Sequence, residues 1–208
     1  MKISSIRIKK IYCDIFFDNG ERINVHKDVL INKNLFVDKP IDSNALNEIK
    51  IEDEYLRTKN SAFRILTRRA NSEAELFKKL KRKEYSPQNI NKVISDLKSK
   101  GYINDFDFAL RYTEMRLKRY GWNRIKNELY RKGISKEIYP LIELEIQVKP
   151  QENELKQFAN KKYLSLLKKE NEPYKIKQKL FGYLVNKGFD FEDSKNIINK
   201  LISDTDDD

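Results

Sequence analysis

The sequence predicts a mainly helical chain: three tandem copies of a three-helix unit, elongated as a whole, behind a small N-terminal antiparallel β-hairpin or sheet. Three observations predict it. A short basic helical segment is written three times, as SEAELFKKLKRKEY from Ser72, GWNRIKNELYRKGI from Gly121 and KIKQKLFGYLVNKGF from Lys175. Superposing these segments brings Leu80, Leu129 and Leu184 into register, then Val93, Ile142 and Ile197, then Leu97, Ile146 and Leu201, which is the mark of an internal repeat. The opening, by contrast, is rich in β-branched and aromatic residues around an Asn-Gly pair.

The elements follow in order. Residues 6–37 read as strands, with the hairpin turn at Asp18-Asn19-Gly20-Glu21, because asparagine and glycine both tolerate positive φ. His26 lies in the second strand with no second histidine or cysteine near it, so a half-exposed strand position is expected and a metal role is not. After Pro40 the pattern turns helical. Asp42 or Ser43 can cap a helix carrying Leu46, Ile49, Leu56, Phe63 and Leu66 that runs to about Ala70. Ser72 with Glu75 makes a capping box ahead of Leu76 and Leu80. Ser86-Pro87 starts the next helix, with Ile90, Val93, Ile94 and Leu97 inward, and Gly101 ends it. The order then returns. Asn104 or Asp105 caps a helix with Phe108, Ala109, Tyr112, Met115 and Leu117; Trp122, Ile125 and Leu129 mark a second; Ser135 opens a third with Ile138, Leu141, Ile142 and Ile146. In the third copy Gly182 interrupts the middle helix at about 1 kcal/mol relative to alanine. Domains are therefore expected at 1–41 (strands), 42–101, 102–148 and 149–203 (the three copies), with a hinge at QVKPQE and a disordered acidic tail at 204–208 within SDTDDD.

Composition narrows the function. The 208 residues hold 43 Lys and Arg against 32 Asp and Glu, for a net charge of +11. The excess sits mid-chain: residues 57–106 carry +8 and residues 107–150 carry +4, whereas the first 56 and last 58 are near balance. Such a field attracts polyanions. The single cysteine, Cys13, is expected as a small buried hydrophobe, and it allows no internal disulfide. No apolar run nears the roughly 18 residues of a membrane span, and MKISSIRIKK lacks the apolar core of a signal peptide, so a cytoplasmic monomer without membrane contact is expected. One histidine, no Gly-rich phosphate loop, no nucleophile elbow and no metal-spaced ligands point away from an enzyme and from any cofactor. Asp105 and Asp107 are read as caps.

In combination, RRANSEAELFKKLKRKEY and GYINDFDFALRYTEMRLKRYGWNRIKNELYRKGI resemble the signature segments of the RecX family, bacterial regulators of the recombinase RecA. The likeness spans the three-unit layout of residues 45–203, and the strand-rich opening is similar to the variable start of that family. Two positions depart from its pattern. Glu84 stands where the other copies have Gly133 and Gly188, so the first copy's middle helix is expected to end without a left-handed glycine, and Asn104 stands where an acidic residue is common. The resemblance implies a protein that lies in the groove of the RecA–DNA filament, blocks strand exchange and ATP turnover or promotes disassembly, and has some affinity of its own for single- and double-stranded DNA.

The residues suggest how. With Leu76, Phe77 and Leu80 inward, Lys78, Lys79, Lys81 and Arg82 are left outward, near Arg68 and Arg69 of the preceding helix. In the second copy Arg124, Lys126, Arg131 and Lys132 take similar places, with Arg116, Lys118 and Arg119 just before the turn. These two basic ridges are the candidate surface for nucleic acid and filament. Tyr112, Tyr120, Trp122 and Tyr130 are interleaved with them; core packing suits Trp122 and Tyr112, and Tyr120 and Tyr130 are open between core and contact. Two rival readings account for the same charge: a helix-turn-helix-type protein acting directly on duplex DNA, and a scaffold that binds another protein through the opening sheet.

Overall fold

The computed structural model describes residues 1–146 and 152–206. The chain folds as two compact units, Met1–Ile103 and Asn104–Asp208.

The first unit opens with a three-stranded antiparallel sheet in the order β1 (Ile3–Ile8), β2 (Tyr12–Phe17), β3 (Arg22–His26). Cys13, Ile15 and Phe17 of β2 alternate with Tyr12, Asp14 and Phe16, so one face enters the core and the other does not. Only Gly20 of the expected Asn-Gly turn takes positive φ, at +85°. The Gly20 N–H donates to the Phe17 carbonyl and the Phe17 N–H to the Glu21 carbonyl, a type I turn with a glycine bulge instead of the mirror-image two-residue turn. Asp14 is buried on the outer face. Its carboxylate accepts from Asn24 at 2.8 Å and pairs with Lys9 and Arg22 at 2.9 Å each, and these partners, Asn24 foremost, hold it well below the usual carboxylate range. Cys13 is fully buried; burial, then the charge of Asp14, push its thiol up.

The strand expectation for residues 6–37 fails after His26. Lys27–Asn32 is a helix, α1, because the His26 ring caps it by accepting from the Asp28 N–H. A six-residue helix has too few apolar positions to declare its period, so the β-branched run KDVLI misleads. His26 is itself buried, not half-exposed, with Asn60 3.1 Å from its Nε2.

Helix α2 (Ser43–Leu66) starts at Asp42, whose carboxylate accepts from the Ala45 N–H at 2.7 Å, and stops four residues before the expected Ala70. It serves two partners. Ile49 joins the sheet core of Ile3, Cys13, Ile15 and Val25, while Ala62 joins Leu76, Leu80, Ile90, Val93 and Leu97 of the first three-helix unit. Asp53 accepts from the His26 N–H at 2.6 Å, and Arg57 donates to Asn24 while stacking 4.4 Å from the Tyr12 ring, so α2 also grips the sheet through polar groups. Helix α3 (Glu73–Lys81) is capped by Ser72, and α4 (Pro87–Ser99) by Ser86 with Pro87 in its first turn. Glu54 of α2 reaches the start of α4, accepting from the Ser86 N–H at 2.6 Å and from Asn89 at 2.9 Å. Between α3 and α4, Glu84 adopts φ +65°. The helix thus ends without a left-handed glycine, as expected, and a glutamate takes the left-handed conformation in its place.

In the second unit Asn104 caps α5 (Asp105–Leu117), and its own amide donates to Asp107 at 2.9 Å. Helix α6 (Trp122–Arg131) follows, and the third helix begins as a 3-10 turn, Lys136–Ile138, before α7 (Tyr139–Ile146). Ala109, Ile125, Leu129 and Ile142 form the core, but Leu141, expected inward, is exposed because the 3-10 turn rotates the register. The third copy consists of α8 (Glu152–Leu167), α9 (Pro173–Lys187) and α10 (Phe191–Asp206) around Leu155, Ala159, Leu180, Leu184 and Ile198. The expected hinge lies at residues largely outside those described. The expected tail is corrected in part: α10 carries the chain in helix through Asp206.

The middle helices of the second and third copies end alike. Gly133 and Gly188 are left-handed, and the next N–H bonds back to the Leu129 or Leu184 carbonyl, the paired closure that a left-handed glycine permits. Gly101 ends α4 in the same way, with the Tyr102 N–H on the Leu97 carbonyl. Leu80, Leu129 and Leu184 are each fully buried, so truncating any of them to alanine is expected to cost about 2–5 kcal/mol.

Candidate nucleic-acid interface

In the first unit the ridge is open. Leu76 and Leu80 turn inward, which leaves Lys78, Lys81 and Arg82 exposed on the other side of α3. Arg68 and Arg69 are exposed just past α2. Arg69 lies 3.3 Å from Glu75, and its carbonyl accepts from Asn71, which in turn bonds Lys79. Lys79 thus fastens the α2–α3 turn. Arg68, Lys78, Lys81 and Arg82 have no carboxylate within ion-pair distance among the described residues, so their charge is available to a ligand.

The second unit is different. Arg116 and Arg124 converge on one carboxylate, Glu128: Arg116 donates at 2.8 and 2.5 Å and Arg124 at 3.3 Å, and the Tyr112 hydroxyl adds a donor at 2.8 Å. Burial pushes the Glu128 carboxyl up, but hydrogen bonds from Arg116, Tyr112 and Arg124 outweigh it and hold the group below its ordinary value. Tyr120 completes the hub, its ring 4.2 Å from the Arg116 guanidinium, 3.9 Å from that of Arg124 and 4.9 Å from the Lys187 ammonium. Expected outward, Arg116 instead turns in, because a bidentate partner and an aromatic face wait there.

Arg124 also helps to seat the third copy. The amides at the start of α6 meet the carbonyls at the end of α9: the Gly121 N–H donates to Lys187 at 3.0 Å, the Asn123 N–H to Gly188 at 3.1 Å, and the Arg124 side chain to Asn186 at 3.4 Å. Groups that helix ends leave orphaned satisfy one another, with the helix dipoles head to tail. A Cβ on Gly121 would lie 2.2 Å from the Gly188 oxygen, and one on Gly188 would lie 2.3 Å from the Arg124 Cβ.

Of the other predicted residues, Lys126 sits 5.8 Å from the Trp122 ring and Lys132 4.9 Å from that of Tyr112. Arg119 and Arg131 are exposed, with no ion-pair partner among the described residues. The unit thus splits its predicted cations between a structural hub and a solvent face. Tyr120 belongs to the hub; Tyr130 is 64 % exposed. Sequence reasoning passed over Asn123 and Asn127, which share the outward side of α6 with Tyr130, and Lys136 of the following 3-10 turn, which lines the same groove. The four-residue spacing of the two asparagines, opposite Ile125 and Leu129, is the signal that marks them.

Among the described residues no group of His, Cys, Asp and Glu could hold a metal ion, and no helix is long and apolar enough to cross a membrane.

Comparison with known proteins matches three family models in tandem: "RecX, first three-helix domain" at residues 59–97, "RecX, second three-helix domain" at 104–139 and "RecX, third three-helix domain" at 151–198. A regulatory protein RecX of Clostridium perfringens is 34 % identical, with 96 % of each chain covered. Another from Listeria monocytogenes is 32 % identical over 99 % of this chain and 78 % of its own. Among solved structures, a regulatory protein RecX superposes with a TM-score of 0.76 at 22 % identity, covering 95 % of this chain and 98 % of the other. RecX from Lactobacillus salivarius gives 0.63 at 23 % identity, covering 72 % of this chain and 97 % of its own.

Proposed function

The chain belongs to the RecX family, and from that premise we propose that it regulates the recombinase RecA, lying in the groove of the RecA–DNA filament and blocking strand exchange and ATP turnover. It acts by occupancy and without catalysis of its own: where it sits, homologous duplex cannot enter and protomers cannot cycle freely. Recombination and repair are modulated as a result. The observation that carries the reading is the set of uncompensated cations, Arg68, Lys78, Lys81 and Arg82 on the first unit and Arg119 and Arg131 on the second, set on repeated helical frames. A repeated protein suits a repeated polymer, and free guanidinium forks suit both backbone phosphates and protein carboxylates.

The rival reading, a helix-turn-helix protein acting on duplex alone, asks the third helix of a unit to enter the major groove. In the second copy that helix, α7, carries Glu143 and Glu145 and no cation, so it would repel phosphates. The exposed cations that carry the reading lie instead on the middle helices, at Lys78, Lys81 and Arg131, and beside their ends, at Arg68, Arg82 and Arg119.

The test is RecA on single-stranded DNA with ATP. Addition of the chain is expected to suppress hydrolysis and strand exchange. Unchanged rates at ratios that saturate binding refute the reading.

A further inference from the structure

The outward side of α6 carries an open groove of about 690 Å³, lined by Asn123, Lys126, Asn127, Tyr130, Lys136 and Tyr139. Its chemistry is unlike that of a plain basic ridge. None of the six is acidic. Asn123 and Asn127, one helical turn apart, are exposed, and their side-chain amides have no hydrogen-bond partner among the described residues. Tyr130 is exposed along α6, its ring met by the Lys136 ammonium at 5.6 Å. Tyr139 is fixed as a wall, its one hydroxyl proton shared between the Lys126 and Ile134 carbonyls at 3.3 and 3.4 Å and its ring set edge-on to Trp122. Beyond the two asparagines a second hollow of about 330 Å³ brings Arg131 alongside.

Phosphates and carboxylates need donors only. Two amides that offer acceptor oxygens as well as donors, beside an exposed aromatic ring, match a nucleobase, which has mixed edges and a π-face. In a duplex that π-face is covered by the neighbouring base pairs, so Tyr130 can stack only on a base that is unpaired.

We propose that this groove holds an unpaired base of a single nucleic-acid strand, with Tyr130 on its face, Asn123 and Asn127 at its edge, and Lys126 and Lys136 at the flanking phosphates. The second unit thereby prefers single strands to duplex. The proposal rests on the reading that the helical faces meet DNA, and it adds which strand form they select and by which side chains.

Anisotropy of the full chain with a labelled oligothymidylate and with a duplex of equal length, each over a range of salt, tests it. Tyr130→Ala, and separately the double variant Asn123→Ala with Asn127→Ala, are expected to weaken single-strand binding about tenfold or more while duplex affinity and the salt slope stay put. Tyr130→Phe should keep the preference, whereas Arg119→Ala with Arg131→Ala should flatten the salt slope on both DNAs. Helical content by circular dichroism confirms that each variant is folded. The proposal is overturned if Tyr130→Ala binds single strands like the unsubstituted chain, if both DNAs weaken alike, or if the unsubstituted chain does not bind the oligothymidylate. Poly-glutamate that competes only while Tyr130 is present would make the groove a protein site and also overturn it. A chain with Tyr130-dependent strand preference that leaves RecA turnover untouched upholds the groove and sinks the regulatory reading; the converse result sinks the groove alone.

Discussion

Glu84 holds the backbone position that Gly133 and Gly188 fill in the other copies, at φ +65°. A side chain there crowds its own carbonyl by about 1–2 kcal/mol. Glu84→Gly is therefore expected to raise stability by about 1 kcal/mol, less what the glycine loses in unfolded-state entropy, as read from the midpoint of urea unfolding. Gly182 presents the opposite case. It lies inside α9 with ordinary φ, and a Cβ would meet nothing within 4 Å, so Gly182→Ala should add about 1 kcal/mol. Glu128 supplies a pH dependence. Its carboxyl lies below its ordinary value when folded, so its contribution is complete above about pH 4.3, the unfolded value, and drains away as the pH falls through the folded one. Glu128→Gln should lower stability at neutral pH and shrink the loss seen in thermal midpoints between about pH 5 and pH 3.

At the scale of elements, the joint between α6 and α9 is the most exacting. Gly188→Ala would incur about 1–2 kcal/mol from its left-handed backbone alone and drive a methyl against Arg124, so a destabilisation larger than that of Gly133→Ala is expected in thermal unfolding. Much of this architecture was legible in the residues. Caps such as Asp42, Ser72, Ser86 and Asn104 act within three residues of themselves, and the leucine register needs only periodicity, so both can be read along the chain. What failed depended on distant partners. The helix Lys27–Asn32 is held by Val29 packing into the sheet core of Ile3, Cys13 and Ile15, and Arg116 turns inward because Glu128, on the next helix, awaits it. The candidate site was half visible for the same reason: charge and face are local properties, whereas which cations are already engaged is a property of the fold.

For the molecule as a whole, the +11 charge sets a dependence on ionic strength. Each phosphate neutralised contributes about 0.9 to the slope of log affinity against log salt. Reversal of Arg68, Lys78 and Arg82 to glutamate should lower the slope on DNA, and reversal of Arg119 and Arg131 should lower it separately, each readable in a salt titration. Arg124 makes a poor choice for such a series, since its loss would disturb the hub before it touched a ligand. The junction of α6 with α9 has one more implication. Since main-chain amides and carbonyls supply most of its bonds, an exposed side chain such as that of Asn186, whose carbonyl alone is used, carries little of the burden of recognition. A saturation mutagenesis screen of the second unit should tolerate wide variation at Asn186 and show sharp intolerance at Gly121 and Gly188, so that two helix ends far apart in the chain leave their joint imprint as a pair of missing methyl groups.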